Sequence, residues 1–423
     1  MEREPLSQAY PLNITDRLPP ELLSHIFHLV LLDSSGLWRQ EWIGHLVSVS
    51  RRWRDVIHGC PNFWTAIVVQ GNRSLSSSVE THLTRSHNCL LDIEIQLFRD
   101  SECPRLEQCL GPLIDHSRRW RSLVLCLEGM AMQLSLESLS TIPLPSLTRA
   151  VIQNRSQHGP CSLRLLKSEQ FPVLRHLEIE GFPWDNVPLL PPLTTLKFKD
   201  MRRLGSSIPP VLSQLSSLKL TSLFISGSLD SRWLLSNSLH LPFLEILTID
   251  RTWKSKEVLE AIVAPKLGHL TYSAWPNNLA SFIFGGLGSK YHHVHQLTFH
   301  LDHRFVPHLD YADAEAVCSA FSGICRASIL PAELDSFFLY LNDSCPADRW
   351  TSLEHLTIES GDVDGVGFSA LVRWINMRAE ERRWIHVQLI GTRFADQSFL
   401  HLLDGVQKEW CMLEMDVQPS SFG

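Results

Sequence analysis

The chain has 423 residues, of which 44% are hydrophobic and 20% are charged, a composition typical of a folded rather than a disordered protein. Its formal net charge of −7 is unfavourable for binding to phosphate backbones, so we expect no nucleic acid partner. The N-terminus lacks the features of a signal peptide, and no apolar run approaches the roughly 18 to 20 residues that span a bilayer, so we expect no membrane association and a cytoplasmic or nuclear location.

Short helices are predicted at the start of the chain, in a segment that we call the N-terminal cassette (residues 18–57). Pro19-Pro20 opens a stripe of apolar residues at helical spacing, which comprises Leu18, Leu22, Leu23, Ile26, Phe27 and Val30. A second stripe comprises Leu46, Val49, Trp53, Val56 and Ile57. Small polar residues at 33–36 separate the two, and Gly59 and Pro61 end the last helix.

Two signatures in this cassette resemble those of the F-box family. The opening signature reads Leu18-Pro19-Pro20-Glu21-Leu22-Leu23-Ser24-His25-Ile26-Phe27, and the closing one reads Val49-Ser50-Arg51-Arg52-Trp53-Arg54-Asp55-Val56-Ile57. The following Pro61-Asn62-Phe63-Trp64-Thr65-Ala66-Ile67 is similar to the tail of fungal-type F-boxes. The chain departs from the family pattern at Ser50, where a cysteine is usual, and in the connection 34–41, which is longer than usual.

The resemblance implies a small all-α F-box domain at residues 1–70 that docks a Skp-type adaptor and, through it, a cullin scaffold. The residues expected to bind the adaptor are Leu18, Pro19, Leu22, Leu23, Ile26, Phe27, Val49, Trp53, Val56 and Ile57. Each could instead form the core of the domain itself, and for Leu22, Trp53 and Ile57 the core role is favoured.

A repeated strand pattern predicts the architecture of residues 71–423. An apolar residue is followed by a second three positions later and a third two positions after that, most clearly in units starting at Leu174, Leu193, Leu220, Leu244 and Leu267. Further units start at Val294, Leu334, Leu353 and Trp384, with weaker ones at Leu90, Trp120, Leu147 and Trp410. A repeat of twenty to thirty residues favours a solenoid, because each unit has an apolar edge that only its neighbour can cover.

This part of the chain resembles a leucine-rich-repeat domain with a curved parallel sheet. The fold class is therefore predicted as α/β, an all-α F-box followed by an irregular solenoid. The irregularity is expected because the asparagine or cysteine usual in each repeat occurs only at Asn342, and Phe182, Met201, Thr252, Trp275 or Gly361 stands there in other units. Apolar faces predict helices at 313–327, 368–382 and 397–409, so the solenoid should become more helical toward its C-terminus. The alternative is an irregular α/β domain in which the leucine spacing arises by chance.

Between the buried positions of each predicted strand lie side chains that would face outward and bind a target protein. These residues are His176, Glu178, Glu180, Lys197, Lys199, Phe224, Asp250, His300, Phe338, Tyr340 and Glu359. Acidic, basic and aromatic side chains on one surface favour recognition of a protein rather than a uniform polymer.

Motifs for catalysis, cofactors or metals are not found in the sequence. His293 and His295 share a strand face, but no third ligand is evident, so we expect no metal site and no cofactor. The ten cysteines form no Cys-x-x-Cys pair, and no nucleophile or phosphate-binding motif occurs.

Taken with the F-box resemblance, this implies a non-catalytic substrate receptor of a cullin-RING (SCF-type) ubiquitin ligase. The alternatives are an F-box scaffold that binds the adaptor without promoting ubiquitination, and an enzyme whose motifs are not recognised.

Overall fold

The structure is a computed structural model that describes residues 17–32, 36–70, 76–99, 102–156, 163, 166–184, 187, 190–201, 214–228, 234–274, 279–288, 290–301, 309–341, 344–363, 365–394 and 411–417. The chain divides into two compact units, Met1–Leu174 and Arg175–Gly423. No helix in these ranges is long and apolar enough to cross a membrane.

The described part of the first unit begins with three helices and continues with alternating strands and helices. The helices are α1 (Pro20–Leu32), α2 (Gly36–Val49) and α3 (Arg51–Gly59), and a 3-10 turn at Pro61–Trp64 follows. The remaining elements are β1 (Ala66–Gln70), α4 (Ser76–Arg85), β2 (Leu91–Leu97), α5 (Cys103–Ile114), β3 (Trp120–Leu127), α6 (Gly129–Leu139) and β4 (Arg149–Asn154). The four strands pair in chain order as β1–β2, β2–β3 and β3–β4, and all three pairs are parallel.

Strand β1 ties the helical region to this sheet. Its residues Ala66 to Val69 are buried, and it pairs along its length with β2. A helix then connects each strand to the next, as parallel pairing requires. The weak repeat units starting at Leu90, Trp120 and Leu147 are confirmed as strands β2, β3 and β4.

The second unit also consists mainly of a parallel sheet. Its strands are β5 (His176–Glu180), β6 (Thr195–Met201), β7 (Ser222–Ser228), β8 (Leu239–His240), β9 (Ile246–Trp253), β10 (Ile262–Val263), β11 (His269–Ser273), β12 (Gln296–His300), β13 (Arg326–Ile329), β14 (His355–Val363), β15 (Ile385–Phe394) and β16 (Cys411–Val417). Its helices are α7 (Ser255–Ala261), α8 (Ala280–Phe284), α9 (Tyr311–Ala320), α10 (Leu334–Phe338) and α11 (Gly365–Glu380). The short strands β8 and β10 pair with each other, and all others join one sheet in chain order.

Equivalent residues of successive strands stand side by side in this sheet. One row of register partners comprises Leu177, Leu196, Leu223, Leu247, Leu270, Leu297, Ala327, Leu356, Val387 and Leu413. Neighbours in this row are 19 to 31 residues apart in the chain. All of them except Leu413 are buried, so the predicted apolar pattern does form one packed face.

A left-handed backbone residue recurs at one place in the repeat. Gly181, Asp200, Gly227, Arg251 and Gly391 have φ values of 75°, 45°, 101°, 40° and 61°. Each lies two residues after the third apolar residue of its repeat unit, which is Ile179, Phe198, Ile225, Ile249 or Leu389. At three of these places the strand register shifts, as in a β-bulge. At Gly227 a Cβ atom would lie 2.6 Å from the main chain of Met201, so only glycine fits.

Buried polar side chains join successive segments of the second unit. The Glu333 carboxylate is fully buried and accepts hydrogen bonds from the backbone N–H groups of Leu301 at 2.7 Å and Leu330 at 3.1 Å. Arg378 donates to the carbonyls of Trp350 at 3.2 Å and Leu353 at 2.7 Å. These bonds satisfy backbone groups that the sheet leaves unpaired.

The predicted positions of strand and helix are wrong between β12 and β14. The unit predicted to start at Leu334 is not a strand, because Leu334–Phe338 forms helix α10 after the 3-10 turn Pro331–Glu333. The strand of this repeat is β13, and the helix predicted at 313–327 is the shorter α9. The helix predicted at 368–382 is confirmed as α11, and the one predicted at 397–409 lies outside the described residues.

Candidate functional site

Helix α1 has two apolar faces, of which one is buried and one is exposed. Leu23, Phe27 and Leu31 are at most 2% exposed and form part of the core of the cassette. On the other face Leu22, Ile26, Leu29 and Val30 are 50%, 43%, 51% and 46% exposed. Because these four residues recur at helical spacing, they form a continuous apolar stripe on the surface.

Helix α2 divides its side chains in the same way. Ile43 and Leu46 are buried, whereas Trp42 and Val49 are 45% and 59% exposed. We call the exposed set Leu22, Ile26, Leu29, Val30, Trp42 and Val49 the outer apolar set. Exposed apolar side chains of this number on a small domain are typical of a protein-binding surface.

A compact aromatic core holds these helices together. The Phe27 ring lies 4.7 Å from the Trp53 ring and 6.5 Å from the Phe63 ring, measured between centroids. The Trp64 indole N–H donates to the Ile57 carbonyl at 3.0 Å. The tail after the cassette is therefore part of its core and not a separate linker.

The junction between α2 and α3 shows the structural role of the serine at position 50. Ser50 is extended and caps α3, because its hydroxyl accepts a hydrogen bond from the Trp53 backbone N–H at 3.1 Å. Arg54 donates to the Val47 carbonyl at 3.1 Å, and Arg52 donates to the Leu18 carbonyl. The change from cysteine thus gives a good N-cap residue at the helix start.

The predicted adaptor-binding residues fall into three groups. The exposed group is Pro19, Leu22, Ile26 and Val49, the partly buried group is Leu18, Trp53 and Val56, and the buried group is Leu23, Phe27 and Ile57. The favoured core role is confirmed for Ile57 and is wrong for Leu22. Three members of the outer apolar set, Leu29, Val30 and Trp42, were not among the predicted adaptor-binding residues. Leu29 follows Leu22 and Ile26 at helical spacing, which was the signal for it.

The predicted target-binding residues of the strands lie on the face of the sheet opposite its buried leucines. The positions of His176, Glu180, Lys197, Lys199, Phe224, Asp250, His300 and Glu359 alternate with buried ones, and all are partly exposed. Glu178 is only 6% exposed and forms an ion pair with Lys199 at 2.7 Å. This pair therefore serves mainly to stabilise the sheet rather than to bind a target.

Two of the predicted residues do not lie on a strand. Phe338 is fully buried in α10, where its ring packs 4.9 Å from that of Trp374, so its predicted exposure is wrong. Tyr340 follows α10 and is partly buried, with the Arg373 guanidinium 4.5 Å above its ring.

The sheet surface near β12 to β14 contains a small polar network. The His300 imidazole lies 3.6 Å from the Glu359 carboxylate, which also accepts a hydrogen bond from the Ser328 hydroxyl at 2.6 Å. Burial lowers the pKa of His300, while the Glu359 and Asp250 carboxylates act in the opposite direction.

Sequence reasoning also missed a row of hydroxyl groups in the middle of this surface. The row comprises Thr248, Thr271, Thr298, Ser328 and Thr357, which are register partners on adjacent strands. Each one stands between two buried residues of its strand. For all of them except Ser328, whose strand the repeat pattern did not predict, that pattern was the signal that could have identified the residue.

One of the two histidines considered for metal binding, His293, has another contact. The His293 ring lies 2.9 Å from the Ala264 carbonyl and is partly buried. Within the described part of the chain, no group of three or more histidine, cysteine, aspartate or glutamate side chains is arranged to hold a metal ion.

Comparison with known proteins gives a match for residues 15–70, which include strand β1. A family model described as F-box-like matches residues 15–70, so this segment is an F-box-like domain. Such domains act in protein–protein interaction, and they generally bind Skp-type adaptors. No curated protein matches the chain.

Proposed function

We propose that the protein is a substrate-recognition subunit of a cullin-RING (SCF-type) ubiquitin ligase. In this proposal the F-box-like domain docks a Skp-type adaptor and through it a cullin scaffold, while the strands beyond it bind a target protein. The observation that carries the proposal is the outer apolar set, because these side chains remain exposed on a domain whose own core is already filled.

The proposal includes a leucine-rich-repeat-like solenoid beyond the F-box-like domain. Two features support it. One is the row of register partners 19 to 31 residues apart, and the other is the left-handed residue that recurs two positions after the apolar pattern of five strands. Repeats of this kind give long, exposed strand surfaces suited to protein recognition. The chain divisions at 1–70 and 71–423 remain predictions.

In this role the protein acts without catalytic groups of its own. A receptor of this kind holds an acceptor lysine near the ubiquitin-loaded carrier and so raises its effective concentration. We propose that it works in the cytoplasm or the nucleus and has no nucleic acid or membrane partner.

Co-purification with a Skp-type adaptor tests this proposal. The full chain should form a stable complex, and the double variant Leu22→Ser/Ile26→Ser should not. A matched control is Phe98→Ser, because Phe98 is 51% exposed in the same unit but lies outside the F-box-like domain. Point variants are preferable to removal of residues 1–70, which would take away β1, one of the two strands that pair with β2.

Capture of the adaptor by the double variant, or its absence from the wild-type complex, would refute the docking role. Ubiquitination of a bound target in the reconstituted ligase then separates a receptor from a scaffold that only binds the adaptor.

A further inference from the structure

Strands β1 to β4 present a second face whose side chains form rows across the sheet. In β2 the residues Asp92, Glu94 and Gln96 are partly exposed and alternate with buried ones. Their register partners make one row of Ala66, Asp92, Ser122 and Arg149, a second of Val68, Glu94, Val124 and Val151, and a third of Gln70, Gln96, Cys126 and Gln153. The first row has two charged residues of opposite sign, the second has three valines and the third has three glutamines.

A bulge in β3 adds one more charged side chain to this face. Leu91 pairs with Trp120 and Asp92 pairs with Ser122, so Arg121 is an extra residue with no partner in the register. Its guanidinium donates two hydrogen bonds to the Asp92 carboxylate, at 3.0 and 2.5 Å. This bidentate pair is strong and directional, and its charges cancel.

Residues of the first two rows line a partly open cavity of about 370 Å³. Residues that line it include Val68, Asp92, Glu94, Arg121, Val124 and Arg149. The volume is at the small end of the range for ligand pockets, about 300–1,000 Å³, so the cavity has room for a few side chains but not for a folded domain.

The remaining charges of the cavity have opposite signs at its two ends. Glu94 on β2 is partly exposed and accepts a hydrogen bond from the Gln96 amide, whereas Arg149 at the start of β4 is exposed. Val124 on β3 lies between them and is partly exposed. Two strand spacings and an offset of two residues put the Cα atoms of Glu94 and Arg149 roughly 12 Å apart.

An extended peptide matches this arrangement. Its residues i, i+2 and i+4 point to one side, and the first and last of them are about 13 Å apart. Such a peptide could make three contacts at once, with a basic side chain against Glu94, an apolar one against Val124 and an acidic one against Arg149. The Glu94 carboxylate, whose charge Arg121 does not cancel, disfavours a nucleic acid strand because it repels phosphate groups.

We propose that this cavity binds an extended segment of the target protein in which a basic, an apolar and an acidic side chain alternate on one face. The inference rests on the proposed function, since it names the kind of target segment that such a receptor holds. It also adds a binding site in the first unit to the strand residues predicted in the second.

Fluorescence anisotropy with labelled peptides tests the inference on the full-length chain. The probes carry the cores Lys-Ser-Leu-Ser-Glu and Glu-Ser-Leu-Ser-Lys, which cover both chain directions, and Lys-Ser-Leu-Ser-Lys and Glu-Ser-Leu-Ser-Glu as same-charge controls. One mixed-charge peptide should bind at least about tenfold more tightly than either same-charge peptide.

Charge-reversal variants identify the cavity as the site. Arg149→Glu should transfer the preference to Lys-Ser-Leu-Ser-Lys, and Glu94→Lys should transfer it to Glu-Ser-Leu-Ser-Glu. Arg118→Glu is the matched control, because Arg118 is also exposed but does not line the cavity, and it should change no affinity more than about twofold.

The inference is overturned if no mixed-charge peptide binds below about 1 mM, or if neither reversal changes the preference. Displacement of the bound peptide by a single-stranded oligonucleotide would also overturn it, in favour of an anion site. Adaptor capture is measured on the same samples. If the wild-type chain does not capture the adaptor, the proposed function is refuted. If it captures the adaptor but binds no mixed-charge peptide, only the proposed target segment is refuted.

Discussion

Replacement of Leu22 and Ile26 by alanine should weaken adaptor binding without unfolding the protein. Burial of a whole leucine or isoleucine side chain contributes about 1.5–3 kcal/mol. These two side chains are 50% and 43% exposed, so about half of that, roughly 0.7–1.5 kcal/mol each, is still available on binding. The double variant should therefore lose about 1.4–3 kcal/mol, which is about a 10- to 140-fold rise in Kd.

The neighbouring residue Leu23 provides the contrast. It is 1% exposed in the core of the cassette, so Leu23→Ala should lower the free energy of unfolding by about 2–5 kcal/mol. Surface changes such as Leu22→Ala should stay within about 0.5 kcal/mol. Adaptor affinity is measured by isothermal titration calorimetry, and stability by urea denaturation.

The assignment of the two faces of α1 can fail in two ways. An unchanged adaptor Kd for Leu22→Ala/Ile26→Ala would show that the exposed stripe is not the docking surface. A Leu23→Ala variant as stable as the wild-type chain would show that the two faces are exchanged.

Three further predictions concern stability, each measured by urea denaturation. Ser50→Ala removes the N-cap of α3 and should cost about 0.5–2 kcal/mol, and an unchanged midpoint would contradict the cap. Gly227→Ala should cost about 1–3 kcal/mol, because position 227 has a positive φ and the new Cβ atom would meet the main chain of Met201. The control Gly44→Ala lies in open space on α2 and should be neutral or stabilising. Equal effects of the two substitutions would contradict this difference. Burial raises the pKa of the Glu333 carboxyl group, so the native state binds the carboxyl proton more tightly than the unfolded chain does. The free energy of unfolding that this proton contributes below pH 4.5 should therefore decline as the pH rises through the raised pKa. Glu333→Gln should lack that part of the pH dependence, and parallel pH profiles for the two proteins would refute it.

The repeat pattern predicted most strands because a buried leucine row imposes the same residues on each unit. The strand β13 was missed since Ala327 stands where the other units carry a leucine or valine, which left Ile324 and Ile329 as a weaker signal. The nearby apolar residues Leu334 and Phe337 matched the pattern better, yet they belong to a helix after Pro331. Local spacing alone does not distinguish these cases, because tertiary packing decides which apolar residues pair with a strand.

For the candidate docking site the sequence predicted the helices but not their buried sides. Leu22 and Leu23 are adjacent, equally apolar and both on the predicted stripe, yet they differ from 50% to 1% in exposure. The difference arises from packing of Phe27, Trp53 and Phe63, which are far apart in the chain. The cavity on β1 to β4 was likewise hidden, because it depends on the bulge at Arg121 and on strand register.

Ubiquitin transfer tests the proposed receptor function most directly. Proteins labelled by proximity to the wild-type chain in cells are supplied to the reconstituted ligase, with either the wild-type chain or Leu22→Ser/Ile26→Ser. We expect at least one labelled protein to gain ubiquitin with the wild-type chain and not with the double variant. If no labelled protein is modified, or if the double variant supports the same modification, the proposed receptor function is contradicted.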